Sequence, residues 1–282
     1  DESLRKVTEI LNQVKNSYNV SFDLRAREQV RRADFIGRDL VIVLGGDGTL
    51  TSISHNIDAE TPVIGVNSHP IDDDPNGSFG FYMDSNIDTF SADIVTALSG
   101  KAIINQIPRL QAIIDTTSGN RFTTDPAMND LLIANTHQYA PSKYHLRRDG
   151  NKCRQQSSGL VFSTWLGQGA WLNHIIEQNT IEELRKNIQS EQINNHYFVV
   201  AREISHKQRI DQPWSWLDWT DQTTTITSDM HRGYVVPDGW DEVHFNRGAT
   251  ITVNLAAPKL CLLTFRKTIY DKLSDLIEQK LV

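Results

Sequence analysis

The stretch that decides the fold runs from Val41 to Thr49 and reads Val-Ile-Val-Leu-Gly-Gly-Asp-Gly-Thr. Its apolar first half is typical of a parallel strand that is covered on both faces. The three glycines that follow allow a sharp turn and a close approach of the backbone to a phosphate group. Ligands of open α/β sheets bind where strands end, so this turn is the first candidate site.

The patterns on either side of this stretch alternate between helix and strand. Apolar residues recur at spacings of three and four from Leu4 to Val14 and from Ile87 to Leu98, which predicts two amphipathic helices. A second continuous apolar run, from Pro62 to Val66, predicts another buried strand. Residues 1–100 are therefore predicted to form a domain with an open parallel α/β sheet.

Residues 101–265 have a different sequence pattern, which predicts a β-rich, mostly antiparallel second domain. Short β-type segments alternate with clusters of Gly, Asn, Asp and Pro, and the pattern is helical only from Gly169 to Ile188. The segment from Thr268 to Val282 is again amphipathic. We expect residues 266–282 to form a helix that packs back on the first domain. The predicted strands are Ala112–Thr116, Leu131–Ala134, Leu160–Thr164, Tyr197–Ala201, Thr223–Thr227, Tyr234–Val236 and Ala249–Leu255.

The composition argues against several classes of protein. The 282 residues include 28 Lys and Arg against 35 Asp and Glu, with a formal net charge of −7, so a nucleic-acid partner is not expected. The longest apolar runs are far shorter than the roughly 20 residues that span a bilayer, so no membrane contact is expected. Cys153 and Cys261 lie far apart, which argues against a disulfide framework and a thiolate zinc site.

These features predict a cytoplasmic protein, since cysteine usage of this kind suits a reducing compartment. The chain opens on a helical pattern at Asp1 with no strand before it, which suggests that N-terminal residues are missing. The mitochondrial matrix is the alternative location, if those residues held a transit peptide.

Asp47 is the candidate catalytic residue. A carboxylate among glycines is poorly placed to bind a phosphate group itself, because like charges repel. It is well suited to accept a proton from a substrate hydroxyl or to hold a cation. The alternative is a plain glycine-rich turn in which Asp47 caps the next helix.

Residues 45–49, Gly-Gly-Asp-Gly-Thr, resemble a motif shared by NAD kinases, diacylglycerol-type lipid kinases and 6-phosphofructokinases. Four further stretches resemble the NAD kinase family in particular. They are the loop Gly77–Tyr82, Met128-Asn129-Asp130, the signature Ser157–Trp171, and the turn Pro237-Asp238-Gly239 with Phe245–Gly248 after it. Ser157–Leu160, Trp171 and Phe245–Gly248 look more like the mitochondrial-type branch of that family.

The resemblance implies a set of nucleotide-binding residues. Gly46, Gly48 and Thr49 would surround phosphate groups. Phe81 and Tyr82 would offer aromatic faces to adenine, or else belong to the core. Asn129 and Asp130 would bind the adenosine part of NAD through amide and carboxylate groups, or else form a turn. The signature and the late turn add Ser158, Thr164, Gly167, Ala170, Trp171 and Asp238, and no residue is predicted to be a metal ligand.

The signature departs from the common bacterial form, Ser-Thr-Pro-Thr-Gly-Ser-Thr-Ala-Tyr. Residues 163–171 read Ser-Thr-Trp-Leu-Gly-Gln-Gly-Ala-Trp, so hydroxyl groups are absent at Leu166, Gln168 and Gly169. We expect the Gln168 amide and the Trp171 indole N–H to replace part of the lost hydrogen bonding.

The resemblance implies transfer of a phosphoryl group from ATP to the 2′-hydroxyl of the adenosine ribose of NAD, giving NADP. It also implies Mg²⁺ as a cofactor, ATP and NAD as small-molecule partners, and a homo-oligomeric state. Two alternatives remain open. One is a lipid or other small-alcohol kinase that shares the turn, and the other is a non-catalytic NAD(P)-binding sensor, suggested by the altered signature.

Overall fold

The computed structural model describes residues 2–72 and 74–282. Its first elements are α1 (Glu2–Tyr18), β1 (Val41–Gly45), α2 (Asp47–Ser54), β2 (Val63–Asn67), β3 (Ser85–Asn86), α3 (Phe90–Leu98) and β4 (Ile103–Ile107). There follow β5 (Gln111–Asp115), β6 (Arg121–Thr123), β7 (Asp130–Asn135), β8 (Ser142–Arg148), β9 (Asn151–Ser157), β10 (Leu160–Ser163), α4 (Leu172–Ile175), α5 (Gln178–Arg185), β11 (Tyr197–Ala201), α6 (His206–Asp211), β12 (Leu217–Thr220), β13 (Thr224–Ser228), β14 (Arg232–Pro237), β15 (Val243–Asn246) and β16 (Thr250–Asn254). The last two are β17 (Leu260–Thr264) and α7 (Ile269–Glu278).

The chain divides into two units, and a mixed sheet forms the centre of the first unit, which holds residues up to 107 and Lys259–Leu281. The strand order is β1-β2-β17-β4, and β3 also pairs with β2. β1, β3 and β17 run parallel to β2, whereas β4 is antiparallel to β17. The predicted α/β domain with a parallel sheet is confirmed, with the addition of one antiparallel edge strand.

The two apolar runs differ in burial. β1 was predicted to be covered on both faces, but it lies at the edge of the sheet beside β2, and Val43 alone of its five residues is buried. Every residue of β2 is buried, and α1 and α3 cover the sheet with the apolar stripes that their periodicity predicts. The C-terminal helix α7 also packs on this unit, as expected. It buries Ile269, Leu273 and Leu276, and the Ile269 N–H donates to the Asn105 side chain of β4 at 2.9 Å.

The boundaries of the units differ from the predicted ones at 101 and 265. β4 and β17 lie in the first unit because they pair with each other and, through β17, with β2. The second unit is Pro108–Pro258, with Val282. The final helix is also shorter than expected, since Thr268 caps it by accepting a hydrogen bond from the Asp271 N–H.

The second unit contains two six-stranded sheets, both antiparallel throughout. Their orders are β12-β11-β10-β7-β14-β15 and β6-β5-β16-β13-β8-β9. One hydrophobic core combines alternate residues of both sheets, as in a β-sandwich. The β-rich second domain is confirmed.

The hairpin of β8 and β9 was not predicted as strands. Its outer face carries charged residues such as Lys143 and Arg147, while Tyr144 and Leu146 are buried between them. The turn at Asp149-Gly150 has positive φ at both residues (48° and 73°), typical of a tight hairpin. The helical region 169–188 is likewise interrupted, so that α4 and α5 are separate helices.

Within the described residues, no helix is long and apolar enough to cross a membrane. Cys153 and Cys261 are free thiols, one in each unit, and both are buried. Burial raises the pKa of both thiols.

Candidate functional site

Asp47 is the first residue of α2, directly after the turn that ends β1. The turn packs tightly against the loop Gly77–Tyr82. A Cβ atom added to Gly46 would lie 2.7 Å from the Ser78 Cβ, so the turn requires glycine at that position. Gly48, in contrast, is exposed, and a Cβ atom added there would meet open space. The first turn of α2 is closed by the Thr49 N–H, which donates to the Gly46 carbonyl at 2.9 Å.

Both oxygens of the half-buried Asp47 carboxylate accept hydrogen bonds from this loop. Oδ1 accepts from the Tyr82 N–H at 2.8 Å and Oδ2 from the Phe81 N–H at 2.9 Å. The Ser78 hydroxyl donates to Oδ2 at 3.4 Å and accepts from the Asp47 N–H at 3.2 Å. Asp47 is therefore held in one orientation, and it also has a structural role.

Two side chains from elsewhere in the first unit hold the loop. Asn67, at the end of β2, donates to the Ser78 carbonyl at 3.1 Å. Lys272 of α7 donates to the carbonyls of Gly80 and Phe81 at 2.7 and 2.8 Å. Sequence reasoning missed Lys272, because an amphipathic helix with an occasional lysine gives no local signal of such a contact.

The two aromatic residues of the loop differ in accessibility. Tyr82 is only 2% exposed and packs edge-to-face against Phe81, with ring centroids 4.8 Å apart. Its ring therefore belongs to the core, which was the stated alternative to contact with adenine. Phe81 is half-buried, whereas Phe79, which was not predicted, is 52% exposed. Phe79 and Phe81 are the accessible aromatic faces of this loop.

In the second unit, Asp238 supports the segment that carries Asn129 and Asp130. Asp238 has a φ of 47°, and its carboxylate accepts from the backbone N–H groups of Met128, Asn129 and Asp130 at 2.8, 2.8 and 3.1 Å. Its own N–H donates to the Asp130 carbonyl at 2.9 Å. This predicted binding residue thus positions its neighbours.

Thr164 and Gly167 of the signature contact the same segment. The Thr164 hydroxyl donates to the Met128 carbonyl at 2.6 Å, and its N–H donates to the Asn129 carbonyl at 2.9 Å. A Cβ atom at Gly167 would collide with the Asn129 backbone, so glycine is required there. The structure therefore brings together Asn129, Asp130, Thr164, Gly167 and Asp238.

Asp130 lies in an unfavourable environment for a charge. It is 6% exposed, and its burial, followed by the neighbouring charge of Asp238, raises its pKa to about 7. A hydrogen bond from the Trp171 backbone N–H acts in the opposite direction. A buried carboxylate of this kind gains most from new donors, such as the hydroxyl groups of a ribose.

Of the remaining predicted residues, Trp171 reaches Asp130 with its backbone N–H, whereas Ser158 lies at the other end of β10, because Leu160 pairs with Ile133 and Ser163 with Asp130. The Ser158 hydroxyl donates to the Glu203 carboxylate, and the Arg202 guanidinium lies over the Trp171 ring, 5.1 Å from its centroid. Trp171 and Ala170 are half-buried. Arg202 and Glu203 were not predicted, because nothing in the local sequence distinguishes them from other charged residues.

The expectation that the Gln168 amide replaces a lost donor is wrong. Gln168 is fully buried, its amide nitrogen donates to the Trp165 carbonyl at 2.7 Å, and its oxygen accepts from Arg185 at 2.7 Å. Both polar atoms are used within the fold, so this side chain stabilises the signature loop.

Sequence comparisons relate the chain to NAD kinases and NADH kinases. Residues 2–92 match a family model described as the ATP-NAD kinase N-terminal domain. The chain is 23% identical to the NAD kinase of Thermoplasma volcanium over 248 residues, which cover 88% of this chain and 81% of that protein. It is 29% identical to the NAD kinase of Pseudomonas fluorescens (strain SBW25) over 139 residues and 31% identical to a probable NADH kinase of Oryza sativa over 147 residues. These two alignments cover 47% of this chain and less than half of each relative, 43% and 44%.

Two solved structures have the same fold. A yeast NADH kinase complexed with NADH superposes with a TM-score of 0.69 at 16% identity, covering 88% of this chain and 69% of that one. An NAD kinase from Archaeoglobus fulgidus in complex with ATP gives 0.67 at 15% identity, covering 100% and 96%. The chain thus shares its fold with these two structures. The predicted resemblance to the NAD kinase family is confirmed, most specifically over residues 2–92.

Proposed function

We propose that the protein is an NAD kinase, which transfers the terminal phosphoryl group of ATP to the 2′-hydroxyl of the adenosine ribose of NAD. The observation that carries the proposal is the Asp47 carboxylate, which two backbone N–H groups hold at the carboxyl end of β1. The names of the relatives and the NADH and ATP complexes of the two structural neighbours support the choice of substrates.

Asp47 is proposed to accept the proton of the 2′-hydroxyl. A carboxylate has about four lone-pair positions, and the three hydrogen bonds described above use three of them. The remaining position would receive the substrate hydroxyl. The ribose oxygen then forms a bond to the terminal phosphorus, the bond from that phosphorus to the bridging oxygen breaks, and ADP leaves.

The other site residues are proposed to bind and orient the nucleotides. The exposed turn at Gly48 suits a phosphate group, because it offers open space beside the positive N-terminal end of α2. Asn129 and Asp130 suit the adenosine part of NAD, and Phe79 and Phe81 offer accessible faces for stacking.

Mg²⁺ is proposed to arrive bound to the phosphates of ATP. This ion usually keeps several waters and binds through substrate phosphates and one or two carboxylates, rather than in a cage of protein ligands. The donor set at the turn agrees with that, because the Asp47 carboxylate accepts three hydrogen bonds and its remaining lone-pair position is assigned to the substrate hydroxyl. The ion would neutralise charge on the phosphates during transfer.

The test compares Asp47→Asn with Asp93→Asn. Asp93 is buried in the same unit, where it accepts from the Ser85 hydroxyl at 2.8 Å and pairs with Arg266 at 2.9 Å. Each substitution replaces an oxygen that accepts a hydrogen bond, so both variants are expected to lose about 1–3 kcal/mol of stability. Only Asp47→Asn should lower kcat for NADP formation further, by about 10²–10⁴-fold. Equal kcat values for the two variants would contradict the proposed role.

A non-catalytic NAD(P) sensor is the second candidate, and the buried Gln168 amide favours it, because the lost hydroxyls of the signature are not replaced there. Calorimetry with NAD, combined with an NADP-specific dehydrogenase assay, separates the two functions. Tight NAD binding without NADP formation would identify the sensor, and absence of NAD binding would favour a small-alcohol kinase. A homo-oligomer and a cytoplasmic location remain predictions from the sequence.

A further inference from the structure

Two consecutive peptide groups lie between the carboxylate of Asp47 and the ammonium group of Lys272. The peptide groups are those that join Gly80 to Phe81 and Phe81 to Tyr82. Their N–H ends donate to the two Asp47 oxygens at 2.9 and 2.8 Å. Their C=O ends accept from the Lys272 Nζ at 2.7 and 2.8 Å. Each peptide dipole therefore points its positive end at the carboxylate and its negative end at the ammonium.

This arrangement couples the two charged groups. Hydrogen bonds to charged groups are shorter and stronger than neutral ones, and a peptide group that is polarised at one end binds better at the other. Rotation of either peptide plane would break a bond to Lys272 and a bond to Asp47 together. The orientation of the carboxylate thus depends on a residue 225 positions away in the sequence.

Lys272 differs from a surface lysine of the same region. Lys267 is exposed and forms an ion pair with the exposed Asp275 at 2.7 Å. The ammonium of Lys272 is instead withdrawn from water and binds backbone carbonyls, 5.9 Å from the centroid of the Phe81 ring. Burial lowers the pKa of Lys272, and the nearby carboxylates of Asp84 and Asp47 favour its charged form. The free-energy cost of removing such a charge from water is offset only by well-formed hydrogen bonds.

We propose that Lys272 is a positioning residue for phosphoryl transfer, which fixes the Asp47 carboxylate through the two intervening peptide groups. This inference rests on the proposed function of Asp47. It assigns to the C-terminal helix a part in the site that its sequence pattern alone does not indicate.

The kinetic test uses Lys272→Met, which keeps the apolar stem and removes the donors. We expect kcat to fall by about 10–100-fold, the cost of a small misplacement of a reacting group. The fall in kcat should exceed any rise in KM for NAD or ATP, because Lys272 orients Asp47 directly but affects substrate binding only through the loop that carries Phe79 and Phe81. Lys267→Met is the matched control and should behave as the wild type. A wild-type kcat in Lys272→Met, or an effect on KM alone, would overturn the proposal.

Chemical rescue separates loss of the ammonium from a folding defect. Alkylation of Lys272→Cys with 2-bromoethylamine rebuilds a side chain of nearly the same length with a terminal ammonium. The native Cys153 and Cys261 are buried, and treated wild-type protein controls for their reaction. Recovery of most of the lost kcat is expected, and a lack of recovery in fully alkylated protein would contradict the proposal.

A double-mutant cycle with Asp47→Asn tests whether Lys272 acts through Asp47. Lys272→Met should cause less than about twofold further loss of kcat in that background, because groups that act as a unit are not additive. Fully additive losses would overturn the proposal.

Hydrogen exchange of the Phe81 and Tyr82 amides gives a readout that does not depend on activity. Their protection should fall at least about tenfold in Lys272→Met and stay unchanged in Lys267→Met. Unchanged protection in Lys272→Met would refute the positioning role. If the wild type formed no NADP, the proposed function would fail, while this measurement would still decide whether Lys272 holds the loop of Asp47.

Discussion

Replacing Asp130 with asparagine should stabilise the protein while weakening its binding of NAD. The buried carboxylate has a pKa of about 7, against an ordinary value of 3.8. Between these pH values the folded state binds more protons than the unfolded state, so the stability falls as the pH rises from about 4 to about 7. A difference of about three in pKa corresponds to about 4 kcal/mol of stability lost at pH 8.

Asparagine has nearly the same shape and carries no charge, so Asp130→Asn should recover most of that energy. Its oxygen can still accept from the Trp171 backbone N–H. The expected gain is at most about 4 kcal/mol at pH 8 and about 0.6 kcal/mol at pH 4, where the wild-type group is protonated. The same change should reduce NAD affinity by about 1–3 kcal/mol, because the charged acceptor for the ribose hydroxyls is lost.

The assay is urea unfolding at the two pH values, followed by tryptophan fluorescence. All six tryptophans lie between positions 165 and 240, in the unit that contains Asp130, so the signal reports on that unit. Asp221→Asn, an exchange at an exposed turn, is the control and should change neither stability nor affinity. A stability difference that does not depend on pH, or a loss of stability at pH 8, would refute the reasoning about Asp130.

Three further predictions concern the first unit and the metal ion. Gly46→Ala should lower stability by about 1–3 kcal/mol and remove activity, because the added Cβ meets Ser78 at 2.7 Å, whereas Gly48→Ala should leave the melting temperature unchanged and raise KM for ATP. A stable, active Gly46→Ala variant would contradict the packing argument. Phe79→Ala should weaken NAD binding by about 1 kcal/mol in calorimetry, while Phe122→Ala, another exposed phenylalanine, should not. Chelation of divalent ions with EDTA should abolish NADP formation, and added Mg²⁺ should restore it. Activity that persists in EDTA would exclude Mg²⁺-bound ATP as the phosphate donor.

Much of the candidate site could be located from the sequence because its signals are local. An apolar strand, a run of glycines and a helix are adjacent along the chain from 41 to 54, and each follows from short-range sterics and apolar patterning. The turn after β14 also has a local signal, because the Pro-Asp-Gly sequence favours the positive φ that Asp238 and Gly239 adopt. The strands β8 and β9 were not predicted, because charged residues on one face interrupt their apolar pattern.

The sequence by itself determined the division into an α/β part and a β-rich part, the catalytic candidate Asp47 and the resemblance to the NAD kinase family. Only the tertiary structure decided which side chains are available to a ligand and which hold the site together. It placed Tyr82 and Gln168 in the interior, left Phe79 accessible, and set Lys272 behind the loop that orients Asp47. The physical reason is that burial and hydrogen bonding between distant segments depend on how sheets and helices pack, and no local pattern of residues encodes such contacts.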